Sequence, residues 1–581
     1  MNFIKSKIYI FAVIFLAVIS LSLYLKTVNN DFINLDDLSL IYDGKQRPYK
    51  LDFKSVKRYF SEGKLQLYHP LVNISFGIDA AISGGKATPY VFHATNVVLH
   101  VWNVLLVLLL FYLITKSMKT AFFVTLLFAL FPTNVEDVAW VSARKDLLSS
   151  FFYMLGFIFY VLYARNGKYK IAPYCFSLLF TAAAMYSKPM VVTLPFMFIL
   201  YDYAFKNEIK IKDKAAFFVL IGLFVLITIF ARDFSLEELL MKNATGSLKA
   251  VFLQYSFYIV KFFLPLNLSY VYPSGVEAFP FYKTAAFFVY PLTVFALIWS
   301  FIKKRKAVFF GIMFFSISIL PVLNIIRFGL GIPADRYTYI PYLGLFFCAV
   351  ITVTKIIKIT NSKLIEKSMY FAIFILFLVM AVYTNNRVLL WGDIETLSEY
   401  SVRKYTQINP IPQSMFVGEL IRKGKYEEAQ QYSLAFLEKD PLDADAYFNL
   451  AIINMHKGDY KEALRNINDA IRFNKQYEKT EILYFFRSKV YALGGNLTLA
   501  IENLDYLYAM KRDPGIFLIK AGIYEYYNMY AYAIQELQKF LSVYPTHRFA
   551  YNEKQRLERE FKEYVKYGYV KNKPATIKFF N

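Results

Sequence analysis

Cysteine is almost missing from this chain. It occurs twice in 581 residues, as Cys175 and Cys348, and both fall inside apolar runs. Two such residues support no disulfide framework and no thiolate metal cluster. Histidine is also scarce, at five. His93 and His100 share one helical face and read as packed side chains rather than ligands. A set of His69, Asp36 and Asp37 lacks any ligand spacing, so no metal is expected, although a divalent ion stays open. There is no glycine-rich phosphate loop and no nucleotide motif. Acidic residues are outnumbered, 43 against 66 basic, for a net charge of +23. In a soluble domain that surplus would point to nucleic acid. Here much of it lies in short loops between apolar runs, where it orients helices against anionic lipid. No nucleic-acid partner is expected.

What the chain has in excess is apolar length. It is 57% hydrophobic and only 19% charged, against roughly 45–50% and 25% in soluble domains. Apolar runs long enough to cross a roughly 30 Å hydrocarbon core recur. The expected fold is all-α: a polytopic bundle followed by an α-solenoid. Runs at 8–25, 90–115, 120–131, 147–164, 171–186, 189–205, 215–231, 283–302, 307–323, 339–358 and 368–384 give 11 spans. Lys5 and Lys7 place the N-terminus in the cytoplasm. Residues 249–265 read as a lateral or re-entrant helix, because a full span would put Lys303-Lys304-Arg305-Lys306 outside. Residues 26–90 form the first external loop, and 1–390 form the membrane domain.

Past a linker at 391–409 the chain turns polar, amphipathic and periodic. Gly424-Lys-Tyr-Glu-Glu-Ala429 returns as Gly458-Asp-Tyr-Lys-Glu-Ala463. Gly495-Asn-Leu-Thr-Leu-Ala500 and Asn528-Met-Tyr-Ala-Tyr-Ala533 stay in phase. A turn residue, a small residue at the helix crossing and a later proline resemble the tetratricopeptide repeat. Four repeats are expected at 410–443, 444–477, 481–513 and 514–547. A solvating cap helix covers 548–566, and 567–581 is a tail.

The charged residues of the membrane part are the candidates for chemistry. Asp36-Asp37, His69, Glu136-Asp137, Arg144, Lys188 and Arg336 all fall at the same, non-cytoplasmic ends of different spans. Ionisable groups at membrane depth are costly and therefore functional candidates. Each has a plainer reading. Asp36-Asp37 alone is a loop start or helix N-cap. Glu136 can cap the next helix, Arg144 can pair with Asp146, Lys188 can snorkel, and Arg336 can pair with Asp335. Together they meet the needs of sugar transfer from a lipid phosphate. Arginine and lysine stabilise a phosphate leaving group. A positioned carboxylate takes the acceptor's proton. Side chains of adjacent residues diverge, so only one of Asp36 and Asp37 is expected to reach the acceptor.

With these residues in place, the chain resembles GT-C superfamily glycosyltransferases, in particular protein O-mannosyltransferase-like enzymes with C-terminal tetratricopeptide repeats. The matching stretches are Phe32-Ile-Asn-Leu-Asp36-Asp37, Tyr68-His69-Pro70-Leu71 and His93-Ala-Thr-Asn96-Val-Val-Leu-His100. They continue as Phe131-Pro132 through Glu136-Asp137-Val-Ala-Trp140 to Arg144-Lys-Asp146, then Ser187-Lys188, Leu264-Pro265-Leu-Asn267 and Asp335-Arg336-Tyr337. The resemblance implies Asp36 as catalytic carboxylate with Asp37 in support. It implies Arg336, Arg144, Lys188, Glu136, Asp137 and His69 around the donor's phosphate and sugar. The implied donor is a polyprenyl phosphate-linked sugar, often mannose, transferred with inversion and without metal or other cofactor. The acceptor would be a protein hydroxyl, with the repeats holding that protein or a partner. Two positions depart from the pattern: His69 stands where arginine is expected, and Pro189 follows Lys188 where glutamate is expected. A non-catalytic scaffold recruiting envelope proteins and a lipid-linked sugar transporter remain as alternatives. The Lys-, Ile- and Phe-rich composition points to a bacterial inner membrane with periplasmic repeats, or an ER membrane with luminal repeats if the source is eukaryotic.

Overall fold

The computed structural model describes residues 7–33, 35–42, 48–61, 68–165, 171–206, 208–231, 248–273, 280–323, 333–360, 362–404, 410–474 and 477–567. Asn34 of the first motif, the end of the expected linker at 405–409 and the tail from 568 lie outside the described residues. The described elements are helical and fall into two compact units, 1–409 and 410–581.

In the first unit six described helices are long and apolar enough to cross a membrane: Lys7–Asn29, Pro89–Thr115, Val141–Arg165, Thr284–Ile302, Tyr342–Ile359 and Lys363–Leu390. A bent pair, Met118–Leu130 and Pro132–Ala139, makes a seventh if it counts as one span. The expected 11 are therefore not confirmed. Ile171–Ser187 and Ala215–Ala231 have only 17 residues each. Residues 189–206 break into a 3₁₀ turn, a short α-helix and a π turn. Pro189 and Pro195 account for the break, since each removes a backbone donor and can only start a new helix. Lys306–Ile319 is shorter still. It crosses Tyr342–Ile359 so closely that a Cβ on Gly344 would collide with the Gly311 carbonyl oxygen. Small residues at such a crossing let two backbones touch.

Among the described residues the first loop holds three helices, Asp37–Ile41, Phe53–Ser61 and Pro70–Ile82. Leu40, Ile41, Tyr49, Tyr59, Val72, Phe76 and Ala80 form a core that also takes in Phe92 and Val141 of the bundle. The loop is thus a folded cover with its own apolar attachment. Of the stretch expected as a linker, the described residues 391–404 fall in the first unit and hold the helix Ile394–Lys404. Trp391 and Leu397 are buried there, and burial of that apolar surface is the reason the stretch is not free.

The second unit is a series of helix hairpins: Pro410–Arg422 with Tyr426–Lys439, Ala444–His456 with Tyr460–Phe473, Tyr477–Leu493 with Leu497–Lys511, and Gly515–Tyr526 with Tyr530–Val543. Gly424, Gly458, Gly495 and Asn528 turn each hairpin at φ values of 73°, 80°, 90° and 61°, the region open to glycine and tolerated by asparagine. Ala429, Ala463, Ala500 and Ala533 are fully buried at the crossings. Arg548–Tyr567 closes the series. Its Arg556 binds Glu525 of the last hairpin at 2.8 Å.

Candidate active site

The two aspartates that open the first loop do point apart. Asp37 is fully buried. Its Oδ2 accepts the Ile33 N–H at 2.8 Å, and its Oδ1 accepts the Ser142 N–H at 2.9 Å and the Ser142 hydroxyl at 2.5 Å. Ser142 sits in the turn Val141–Ala143, just ahead of the helix that carries Arg144. Asp37 therefore clips the loop to the bundle. Asp36 is exposed, and although it precedes the helix its side chain caps nothing. Of the two carboxylates it is the one open to solvent.

Burial pushes the Asp37 carboxyl up to about 6, against the opposing pull of its bonds to Ser142 and Ile33. A raised carboxyl favours the folded state while protonated, so its contribution is present below the unfolded value and is lost as pH rises through about 6. Asp37→Asn removes that dependence. Its melting temperature in detergent is expected to gain on wild type as pH goes from about 4 to about 6. A constant difference across that window would show that Asp37 does not titrate in this way.

Arg144, expected at the phosphate, is enclosed instead. It has no exposed surface. Its Nη2 donates to Asp79 Oδ2 at 2.8 Å and to the Phe92 carbonyl at 2.7 Å. Its Nη1 reaches Ser75 Oγ at 3.3 Å, its Nε donates to Asn96 Oδ1, and its plane lies 5.3 Å from the Phe76 ring centre. Ser75, Phe76 and Asp79 belong to the loop helix Pro70–Ile82, so this fork ties loop to bundle. Sequence position could not separate it from its neighbour, because Arg144 and Lys145 carry the same charge.

Lys145 faces the other way. Its Nζ lies 5.4 Å from the Trp140 ring centre, and the charges of Asp36, Asp146, Arg336 and Lys188 all act on it. Among the described residues it has no ion pair within bonding distance. Arg336 also rests on Trp140, at 5.2 Å, and on Tyr337, at 5.0 Å. Its Nη1 pairs with Glu136 Oε1, while its backbone N–H donates to Glu136 Oε2 at 3.1 Å. Lys188 pairs with Asp146 and lies 5.2 Å from the Tyr337 ring centre. A cavity lined by Asp146, Ser149, Lys188, Thr193, Arg336 and Tyr337, among others, separates these groups. Arg336, Lys188 and Glu136 thus lie close together, with Lys145, Asp146 and Trp140 among them.

Asp137 is fully buried, and among the described residues neither of its carboxylate oxygens has a hydrogen-bond partner. The charges of Asp146, Glu136, Lys188 and Arg336 act on it. His69 begins the helix Pro70–Ile82 and is 7% exposed. Its neighbour Tyr68 packs on Tyr186, just before Ser187-Lys188. Among the described residues no group of three or more His, Cys, Asp or Glu is arranged to hold a metal ion.

Fold and composition define an all-helical integral membrane protein that carries tetratricopeptide repeats. Residues 418–478 match the family model described as Tetratricopeptide repeat. The chain is similar to Protein O-mannosyl-transferase TMTC1 of Mus musculus, 36% identical over 97 residues, or 16% of this chain and 10% of that one. It is also similar to Protein O-mannosyl-transferase TMTC2 of Homo sapiens, 26% identical over 205 residues, or 34% of this chain and 24% of that one. The matches thus span 10% and 24% of the length of these curated relatives. Among solved structures, a thermophilic TPR protein from Thermus thermophilus aligns at 20% identity, covering 31% of this chain and 93% of its own, with a TM-score of 0.24. The APC/C hetero-tetramer Cut9-Hcn1 aligns at 12% identity over 88% of this chain and 99% of its own, with a TM-score of 0.25. Scores this low do not establish a shared overall fold.

Proposed function

We propose that the membrane unit transfers a sugar from a polyprenyl phosphate-linked donor to an acceptor hydroxyl, with mannose to protein the leading case. The observation that supports this reading is the gathering of three cations, with Lys145 and Arg336 on the Trp140 ring and Arg336 and Lys188 lining one cavity, while the exposed Asp36 is near enough for its charge to act on Lys145. The acceptor oxygen attacks the anomeric carbon and its proton passes to Asp36. The bond from that carbon to the phosphate oxygen breaks, and its electron pair leaves with the phosphate. Lys145, Arg336 and Lys188 meet the charge that develops there, in a partly enclosed site where such contacts are strongest. Attack opposite the leaving group inverts the anomeric centre. Glu136 and Asp146 hold two of the three cations in place, and Trp140 seats Lys145 beside Arg336. The repeats would hold the acceptor protein or a partner.

The test is a donor titration. Lys145→Ala is expected to raise KM for the lipid-linked donor roughly tenfold, the worth of one hydrogen bond to a charged group. Lys26→Ala, which removes a contact to Asn385 on another part of the bundle, is expected to leave it unchanged. Equal KM values in both variants and wild type would remove Lys145 from the site and sink this reading of it.

A further inference from the structure

The first loop carries an exposed face that sugar transfer does not use. The helix Phe53–Ser61 buries Tyr59 and rests Val56 on the loop core. Asp52 starts it by accepting the Ser55 N–H at 2.9 Å. On the adjoining side Phe53, Lys57 and Phe60 share one face, at the spacing i, i+4, i+7. Phe53 is 86% exposed, which leaves a whole aromatic side chain uncovered. Leu51 lies against Gly77 of the next helix, where an added Cβ would come within 2.9 Å of it. Beside Gly77, Ile78 and Ile82 are exposed as well. Lys50, Lys54 and Lys57 are exposed around these apolar groups, and Lys54 and Lys57 have no ion pair among the described residues.

Two contacts set the level of this face. Phe60 packs edge-on against Tyr186, with ring centres 5.5 Å apart. Tyr186 stands at the end of the apolar helix Ile171–Ser187. Ile82 is followed within a few residues by Pro89–Thr115, which starts with the exposed Tyr90 and is long enough to span. Tyrosine at a span end marks the membrane–water boundary. The uncovered face therefore lies where apolar helices leave the membrane, not out in solvent.

We propose that this face, Leu51, Phe53, Phe60, Ile78 and Ile82 ringed by Lys50, Lys54 and Lys57, rests in the adjoining leaflet and binds anionic lipid headgroups. Exposed aromatic and branched side chains enter the headgroup–acyl boundary, while lysine stems lie along the apolar surface and lift their ammonium groups to the phosphates. The sign of the flanking charge selects an anionic surface over a neutral one. The loop that carries Asp36 is thereby held against the leaflet. This inference rests on the membrane character of the chain alone and stands apart from the transfer reaction.

The full chain is tested in vesicles. Phe53→Cys is made with Cys175→Ser and Cys348→Ser and labelled with a nitroxide, and Ile82→Cys serves as a second site. Collisions with oxygen and with a water-soluble nickel complex then report depth. In vesicles containing phosphatidylglycerol both labels are expected about 5–10 Å inside the boundary, and the Phe53 label lies shallower in phosphatidylcholine alone. Lys54→Glu with Lys57→Glu is expected to abolish that lipid difference while the Ile82 label confirms the fold. Labels as open to the nickel complex as a free side chain would overturn the proposal. Equal depth in both lipids would overturn the anionic preference, and dipolar broadening between labels would show a second copy on the face instead.

Discussion

Asp36→Asn is expected to lower sugar transfer by about 10²–10⁴-fold, the usual worth of a positioned general base, with no change in melting temperature. The side chain is exposed and caps no helix, so its amide costs the fold nothing. Asp37→Asn should behave in the opposite sense. Three donors converge on its two oxygens, and an amide nitrogen turns one of those contacts into donor against donor. The expected cost at neutral pH is about 1–3 kcal/mol of stability, with transfer falling only as far as the loop loosens. The pair of variants, assayed together for turnover and melting, separates chemistry from attachment. Full activity in Asp36→Asn would remove it from the reaction.

Arg144→Lys is expected to cost stability rather than donor affinity. The guanidinium is enclosed, and it serves Asp79, Phe92, Asn96 and Ser75 at once. An ammonium cannot reproduce that fork. Arg144→Ala leaves Asp79 buried without its partner, a loss of about 3–5 kcal/mol. Hydrogen exchange should show the damage first in Pro70–Ile82, the loop helix that the fork holds. A variant with unchanged melting and a raised KM for donor would return Arg144 to the phosphate.

The solenoid was legible because its constraints repeat. A residue that tolerates positive φ, then a small residue at the crossing, recur at a fixed spacing, and each has a steric reason visible in one letter. The divergence of Asp36 and Asp37 was legible too, since neighbouring side chains cannot share a direction. Their assignment was not, because it depends on Ser142 and Ile33, which only the folded loop brings to Asp37. The different surroundings of Arg144 and Lys145 were hidden for a similar reason. The turn Val141–Ala143 sets the phase of the helix that follows, and no periodicity in the sequence shows where that turn ends. The span count was not confirmed where prolines cut one apolar run into short pieces, since composition reports apolarity and not continuity. Trp140 was visible as part of a motif, but its work of seating two cations needs the chain from 335–338 beside it.

The central claim is that this membrane unit consumes a lipid-linked sugar at the Asp36 site. The most direct measurement is reconstitution of the purified full chain with mannosyl polyprenyl phosphate labelled in the sugar, together with envelope protein extract as acceptor. The account predicts label moving into protein, release of free polyprenyl phosphate in equal amount, and neither event with Asp36→Asn. Intact donor after prolonged incubation with wild type, or equal consumption by Asp36→Asn, would contradict it.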